Sequence, residues 1–147
     1  MPRRVLMVCL GNICRSPMAE GALRCRLPDG CGVDVDSAGT AAWHVGKPPD
    51  PRAVAEAARH EVDISGQRAR RVSTQDFRDF DLICAMDRSN LADLEAMRPA
   101  DGRAEIRLLC EDTDVPDPWH DGRFAEAFAQ IDAACAALIP ALTARSA

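Results

Sequence analysis

Tyrosine is absent from this 147-residue chain, and lysine occurs once, at Lys47, against seventeen arginines. The imbalance reads as compositional bias rather than mechanism. Aromatic residues amount to 4%, which makes Trp43 and Trp119 stand out. No CxxC pair is present. The seven cysteines (Cys9, Cys14, Cys25, Cys31, Cys84, Cys110 and Cys135) form an odd set with no ligand spacing to His44, His60 or His120. That argues against a structural zinc site. Excess positive charge is also lacking. A net charge of -5 excludes general nucleic-acid binding, which needs a basic face, although backbone N–H groups and one Arg can still hold an anion locally. Behind the basic start Met1-Pro2-Arg3-Arg4 the apolar run is only Val5 to Leu10, too short for a signal-peptide core or a membrane span. No other segment reads as approaching membrane length, so the expectation is a cytoplasmic protein with no membrane partner. Most thiols in a reducing cytosol are small buried hydrophobes. Nor is there an internal repeat or linker, and the length suits one domain with a full core.

What is there alternates between apolar runs and helical patterns. Arg4 to Val8, Val33 to Asp36, Leu82 to Ala85 and Ile106 to Leu109 read as four buried strands. Ser16-Pro17 opens a helix to about Leu27 and Asp50-Pro51 one to about His60, since Ser and Asp cap helices and Pro suits the first turn. A third runs from about Ser89 to Met97. Phe124, Phe128, Ile131, Cys135, Leu138 and Leu142 form one apolar stripe on a last helix, which Pro140 bends or ends. Strand–helix alternation of this kind implies an α/β domain, a parallel sheet covered on both faces.

The chemistry concentrates in Cys9-Leu10-Gly11-Asn12-Ile13-Cys14-Arg15-Ser16-Pro17, between the end of a strand and the start of a helix. Open α/β sheets bind ligands there, and a helix N-terminus offers unpaired N–H groups to an anion. Gly11 and Asn12 both tolerate positive φ, which lets the loop curl until successive N–H groups converge. Arg15 adds a planar fork for two phosphate oxygens. Cys9 lies at the base of this cradle, where the field that attracts phosphate also favours a thiolate. A thiolate aimed at bound phosphorus is a nucleophile in place. Ser16 can donate a hydrogen bond to that sulfur. Roughly 0.004 chance matches to this spacing are expected from the composition, so coincidence is a poor account of it.

This loop resembles the active-site loop of the low-molecular-weight protein tyrosine phosphatases. The resemblance extends along the chain through Ser37-Ala38-Gly39-Thr40 with Trp43, Asp63-Ile64-Ser65, Met86-Asp87 with Asn90, and Asp117-Pro118-Trp119. It implies a four-stranded parallel sheet flanked by helices, and no metal or organic cofactor. It further implies Cys9 as nucleophile, Arg15 as phosphate clamp and Asp117 as acid and then base. Leu10, Gly11, Asn12, Ile13, Cys14 and Ser16 become the substrate-binding loop, with Asn12 and Ser16 shaping it and supporting the thiolate. The implied partner is a phosphotyrosine-containing protein or peptide, with a cognate tyrosine kinase as a further possibility.

The remaining candidates follow. Asp117 precedes Pro118 and suits an acid on a loop after the last strand, while Asp112 and Asp114 compete with it and an ordinary turn role is open. Trp43 and Trp119 read as walls of a slot for a phenyl ring. Trp119 and His120 stand where relatives carry tyrosines, so regulation through those tyrosines is not expected. Asp87 either positions the loop or caps the following helix. Arg68, Arg70 and Arg71 read as a solvated face rather than a steering patch. Glu61 stands where the family commonly has Gly in a turn. Cys14, five residues from Cys9, suits redox control, since a partner thiol traps a reversible oxidised state. Three rival readings are an arsenate reductase, a phosphoarginine phosphatase and a non-catalytic phosphate-binding module. The first needs a thiol relay, and Leu91 stands where its next cysteine would be; the second carries Thr at the position of Ile13. Retention of Cys9, Arg15 and Asp117 together weighs against the third.

Overall fold

Strand β1 (Arg4–Cys9) is buried from Val5 onward on both of its faces, which is why its sequence is continuously apolar rather than alternating. Val5, Met7 and Cys9 enter one core layer, and Leu6 and Val8 the other. β1 pairs in parallel with β2 (Asp34–Gly39) and β3 (Leu82–Ala85), and β4 (Glu105–Leu108) pairs in parallel with β3. The sheet order is β2-β1-β3-β4. The computed structural model describes residues 4–144; the basic start at residues 1–3 lies outside them.

Helices α1 (Arg15–Arg26), α2 (Pro51–Ala58) and α6 (Phe124–Thr143) cover the first face, and α3 (Asp76–Asp79) and α4 (Arg88–Met97) the second. A single turn of helix, α5 (Pro118–Asp121), precedes α6. The chain leaves β1 toward β2 on one side and returns through β3 on the other. The carboxyl ends of β1 and β3 therefore border a crevice, the usual ligand position in such sheets.

The expected α/β architecture with a four-stranded parallel sheet is present, and several local expectations change. β2 runs three residues beyond Asp36, to Gly39, because β1 continues beside it as far as Cys9. Ser16 does not cap α1. The helix starts at Arg15, two residues before Pro17, behind Cys14 with no side-chain cap, and the Ser16 hydroxyl turns toward the sulfur of Cys9. Pro140 does not end α6, which continues to Thr143 around the missing N–H. Helices α3 and α5 were not anticipated, because a single turn carries too few residues for a periodic pattern.

The expectation that no segment approaches membrane length is also corrected. Among the described residues, α6 is long and apolar enough by length and composition to cross a membrane. Here it is a core helix, whose stripe from Phe124 to Leu142 is buried against the layer containing α1 and α2.

Candidate active site

The loop after β1 curls because Asn12 adopts φ 57°, a conformation that Asn tolerates through its short polar side chain. Gly11, expected to share that conformation, has no positive φ. Its missing side chain serves close approach instead: a Cβ there would meet His44 Cδ2 at 3.0 Å. Gly39 is needed for the same kind of reason, since a Cβ at this position would lie 2.7 Å from the Leu10 carbonyl oxygen. That close approach lets Thr40 and Ala41 donate to the carbonyls of Cys9 and Leu10, each at 3.0 Å, tying the end of β2 to the loop.

A buried chain of hydrogen bonds stands behind the loop. Ser37 donates to Glu20 Oε1 at 2.7 Å, so its oxygen accepts from Asn12 Nδ2 at 3.0 Å. The other proton of that amide goes to Ser16 Oγ at 2.8 Å, and Asn12 Oδ1 accepts from the Arg70 N–H at 3.0 Å. Ser16 thus keeps its hydroxyl proton for Cys9 Sγ, 3.0 Å away. The Asn12 N–H reaches the same sulfur at 3.3 Å. Asn12 and Ser16, expected in the substrate-binding loop, hold it from behind and do not line the cavity.

Arg15, at the first turn of α1, is buried and fixed. Its Nη1 donates to Asp87 Oδ2 at 2.6 Å and to the Val115 carbonyl at 2.9 Å. Burial works against its charge, but Cys9, Asp87 and Asp117 outweigh that and hold the guanidinium above its ordinary pKa. Asp87 fills both roles considered for it, because its other oxygen accepts from the Asn90 N–H and caps α4. Asp117 also does two things. One oxygen accepts from the Trp119 N–H, capping α5, and the other lies 3.8 Å from Arg15 Nη2 and 3.9 Å from His120 Nε2. Asp114 instead pairs with Arg88.

These groups meet in one cavity of about 140 Å³, close to the ~150 Å³ that holds a benzene ring. Cys9, Cys14 and Arg15 form its floor, and Leu10, Ile13, Trp43, Trp119 and Asp117 line it. The sequence model described as "Low molecular weight phosphotyrosine protein phosphatase" matches residues 4–147. The chain belongs to that family.

The low-molecular-weight phosphatases similar to it are spread widely. The Bacillus subtilis low molecular weight protein-tyrosine-phosphatase YfkJ is 40% identical over 94% of each chain, and its crystal structure superposes with a TM-score of 0.86. A Schizosaccharomyces pombe low molecular weight phosphotyrosine protein phosphatase is 40% identical over 87% of this chain and 89% of its own. The structure of Vibrio vulnificus Wzb in complex with benzylphosphonate is 31% identical, covers 94% of this chain and 97% of its own, and has a TM-score of 0.85. Membership and the shared fold make this protein a tyrosine phosphatase acting on phosphotyrosine-containing substrates.

Within this phosphatase the two tryptophans are pocket walls but not core residues: Trp43 is 69% and Trp119 51% exposed. Burial raises the Cys14 thiol far above its ordinary pKa, and the charges of Asp50, Cys9 and Asp117 add to that. Burial likewise pushes Cys84, inside β3, up to about 12. The arginine cluster is not simply a solvated face. Arg70 is half-buried against Asp36 and Asp76, and Arg71 Nε donates to the Thr40 carbonyl. Sequence reasoning missed Glu20 and Ser37 at the end of the hydrogen-bond chain, and His44 and His120 as lining residues. Their adjacency to Trp43 and Trp119 was the available signal for the histidines. No signal marks Glu20, because only the folded α1 brings it beside β2.

Proposed function

We propose that the enzyme hydrolyses phosphotyrosine in proteins through a cysteinyl-phosphate intermediate formed on Cys9. The supporting observation is the convergence on one sulfur of a hydroxyl and a backbone N–H, beside a fixed guanidinium. Phosphate sits on the loop N–H groups with its oxygens toward Arg15, and the phenyl ring lies between Trp43 and Trp119. The thiolate attacks phosphorus and the P–O bond to the phenol breaks. Asp117 supplies the proton that the departing phenolate needs. The resulting carboxylate takes a proton from water, whose oxygen attacks phosphorus. The S–P bond breaks, inorganic phosphate leaves, and Cys9 returns as thiolate. Phosphoserine is a poor substrate because its short side chain cannot carry the phosphate down to the sulfur.

The enzyme acts in the cytoplasm, a placement supported by seven cysteines that form no disulfide. Cys14 beside the catalytic loop supports a redox role, in which oxidised Cys9 condenses with its neighbour and is rescued by dithiol. A cognate tyrosine kinase would supply the substrate.

The test is a side-by-side kcat/KM comparison of phosphotyrosine, phosphoserine and phosphoarginine peptides. Ile13 offers no acceptor to a guanidinium, and leaving its N–H groups unpaired costs about 1–3 kcal/mol, so phosphotyrosine should lead phosphoarginine by about one to two decades. A phosphoarginine preference would overturn the reading. For the redox role, peroxide-inactivated enzyme should recover with dithiol, and Cys14→Ser should recover much less; equal recovery would remove Cys14 from it.

A further inference from the structure

Among the described residues, the large apolar side chains left exposed are Trp43, Val45 and Trp119. Elsewhere among the described residues such side chains are at least partly covered, so these three stand out in a chain that is 47% hydrophobic. Trp43 and Trp119 line the same pocket, and an exposed apolar patch at a pocket mouth marks a binding surface. All three belong to the two segments at the pocket. Trp43 and Val45 flank pocket-lining His44 in one tight turn, and Trp119 lies in α5.

We infer that this apolar rim reads the substrate beyond the phosphotyrosine itself, selecting an apolar or aromatic side chain next to it, with Val45 as a specificity-determining residue. The inference rests on the phosphotyrosine reading of the pocket. A phenyl ring between the tryptophans covers only their inner faces, and both residues are more than half exposed in the free enzyme, so their outer edges are available to the rest of the substrate. The backbone of a protein substrate has to cross that mouth, so its neighbouring side chains meet the outer indole edges and Val45. The surface is continuous with the catalytic pocket, which makes the phosphorylated segment its occupant.

Charge supports the same choice. The arginines of the segment that pairs with the Trp43–Val45 turn are engaged: Arg68 with the Ser65 and Gln67 carbonyls, Arg70 with Asp36 and Asp76, and Arg71 with the Thr40 carbonyl, while Arg123, beyond Trp119, is exposed. Arg52 is paired with Asp50. Lys47 is exposed two residues beyond Val45 and provides the internal control.

The experiment compares kcat/KM for phosphotyrosine peptides that carry Leu or Phe, or Asp, beside the phosphorylated residue, together with a small aryl phosphate. Parent, Val45→Ser and Lys47→Ala enzymes are measured. In the parent the apolar-flanked peptides should lead. In Val45→Ser their kcat/KM should fall about fivefold, equivalent to about 1 kcal/mol, through KM rather than kcat. Turnover of the aryl phosphate should not change, which also reports an intact fold. Equal use of the peptides, a lead for the acidic-flanked ones, or a ranking that moves with Lys47 and not Val45 would overturn the inference while leaving the phosphatase reading intact. So would concentration-dependent self-association in sedimentation that Val45→Ser abolishes without altering the ranking, since the rim would then serve a second copy of the chain. A parent inactive on the aryl phosphate and on all peptides would remove the phosphatase reading and this one with it.

Discussion

Ser16 holds its hydroxyl 3.0 Å from the sulfur of Cys9, and the direction of that hydrogen bond is set by residues far from the reaction. Ser37 donates its hydroxyl hydrogen bond to Glu20 and therefore accepts from Asn12, and Asn12 donates to the oxygen of Ser16. Only the sulfur remains for the hydroxyl proton. Ser16→Ala should therefore destabilise the thiolate by the worth of a hydrogen bond to a charged group. That is about 1.5–3 kcal/mol, or roughly one to two decades in rate. Aryl phosphate turnover and the rate of Cys9 alkylation by iodoacetate at neutral pH should fall together. Unchanged alkylation would show that Ser16 acts elsewhere.

Cys9→Ser should abolish turnover while still binding phosphate or vanadate, because the loop N–H groups and Arg15 are untouched. Arg15→Lys should lose most activity as well. A lysine keeps the charge but not the fork that grips two oxygens, and it leaves Asp87 and the Val115 carbonyl without their partner. Retention of more than a small fraction of activity by Cys9→Ser would falsify the covalent mechanism.

Asp117→Asn keeps the cap on the Trp119 N–H but removes the transferable proton. Phenolate leaving groups of high pKa should slow by about 10²–10⁴-fold, and leaving groups that depart without a proton much less. An equal loss across both kinds would assign Asp117 a structural role.

Stability should show a defined acid limb. The Arg52 hydrogen bond holds the Asp50 carboxyl below its ordinary range, and Arg26 does the same for Asp132. Groups with depressed folded values stabilise fully above the unfolded value, about 3.9 for aspartate, and that contribution fades as pH falls through the folded value. The thermal midpoint of Asp50→Asn should lie below the parent at neutral pH and converge with it in strong acid. A constant gap down to strong acid would show that charge at Asp50 is not the cause.

Glu61 adopts φ 62° in the turn after α2, a left-handed conformation that disfavours a side chain by about 1–2 kcal/mol. The greater freedom of glycine in the unfolded chain offsets part of the gain, so Glu61→Gly should stabilise by about 0.5–1 kcal/mol. In a domain of this size that raises the midpoint by about 2–3 °C. Catalysis should not change.

The sheet, the long helices and the catalytic loop were legible because their signals are local. A buried parallel strand has to be continuously apolar, an amphipathic helix has to repeat every three to four residues, and a phosphate loop needs its Cys, Arg and Ser within one turn of chain. Asp50 and Asp87 as caps belong to the same class, since the cap and the N–H it binds are two to three residues apart. Less legible were features that depend on which distant residue arrives alongside. Ser16 carried the signature of a helix cap, yet its hydroxyl went to a sulfur seven residues back, because burial beside Cys9 and Asn12 offered a stronger partner. The arginine cluster looked like a free charged face until Asp36 and Asp76 were brought against Arg70.

By itself the sequence determined the parallel sheet and the Cys9–Arg15 loop at its carboxyl end, because both rest on residue type and short spacing, whereas Asp117 stood out from Asp112 and Asp114 only through the family resemblance. Tertiary structure alone decided what holds the loop from behind, which histidines reach the cavity, and that the two tryptophans stand open at its mouth. Those outcomes depend on contacts between residues as far apart in the chain as Arg15 and Asp87 or Asn12 and Arg70. Such contacts exist only once packing has closed the intervening chain, and no local pattern in the sequence encodes them.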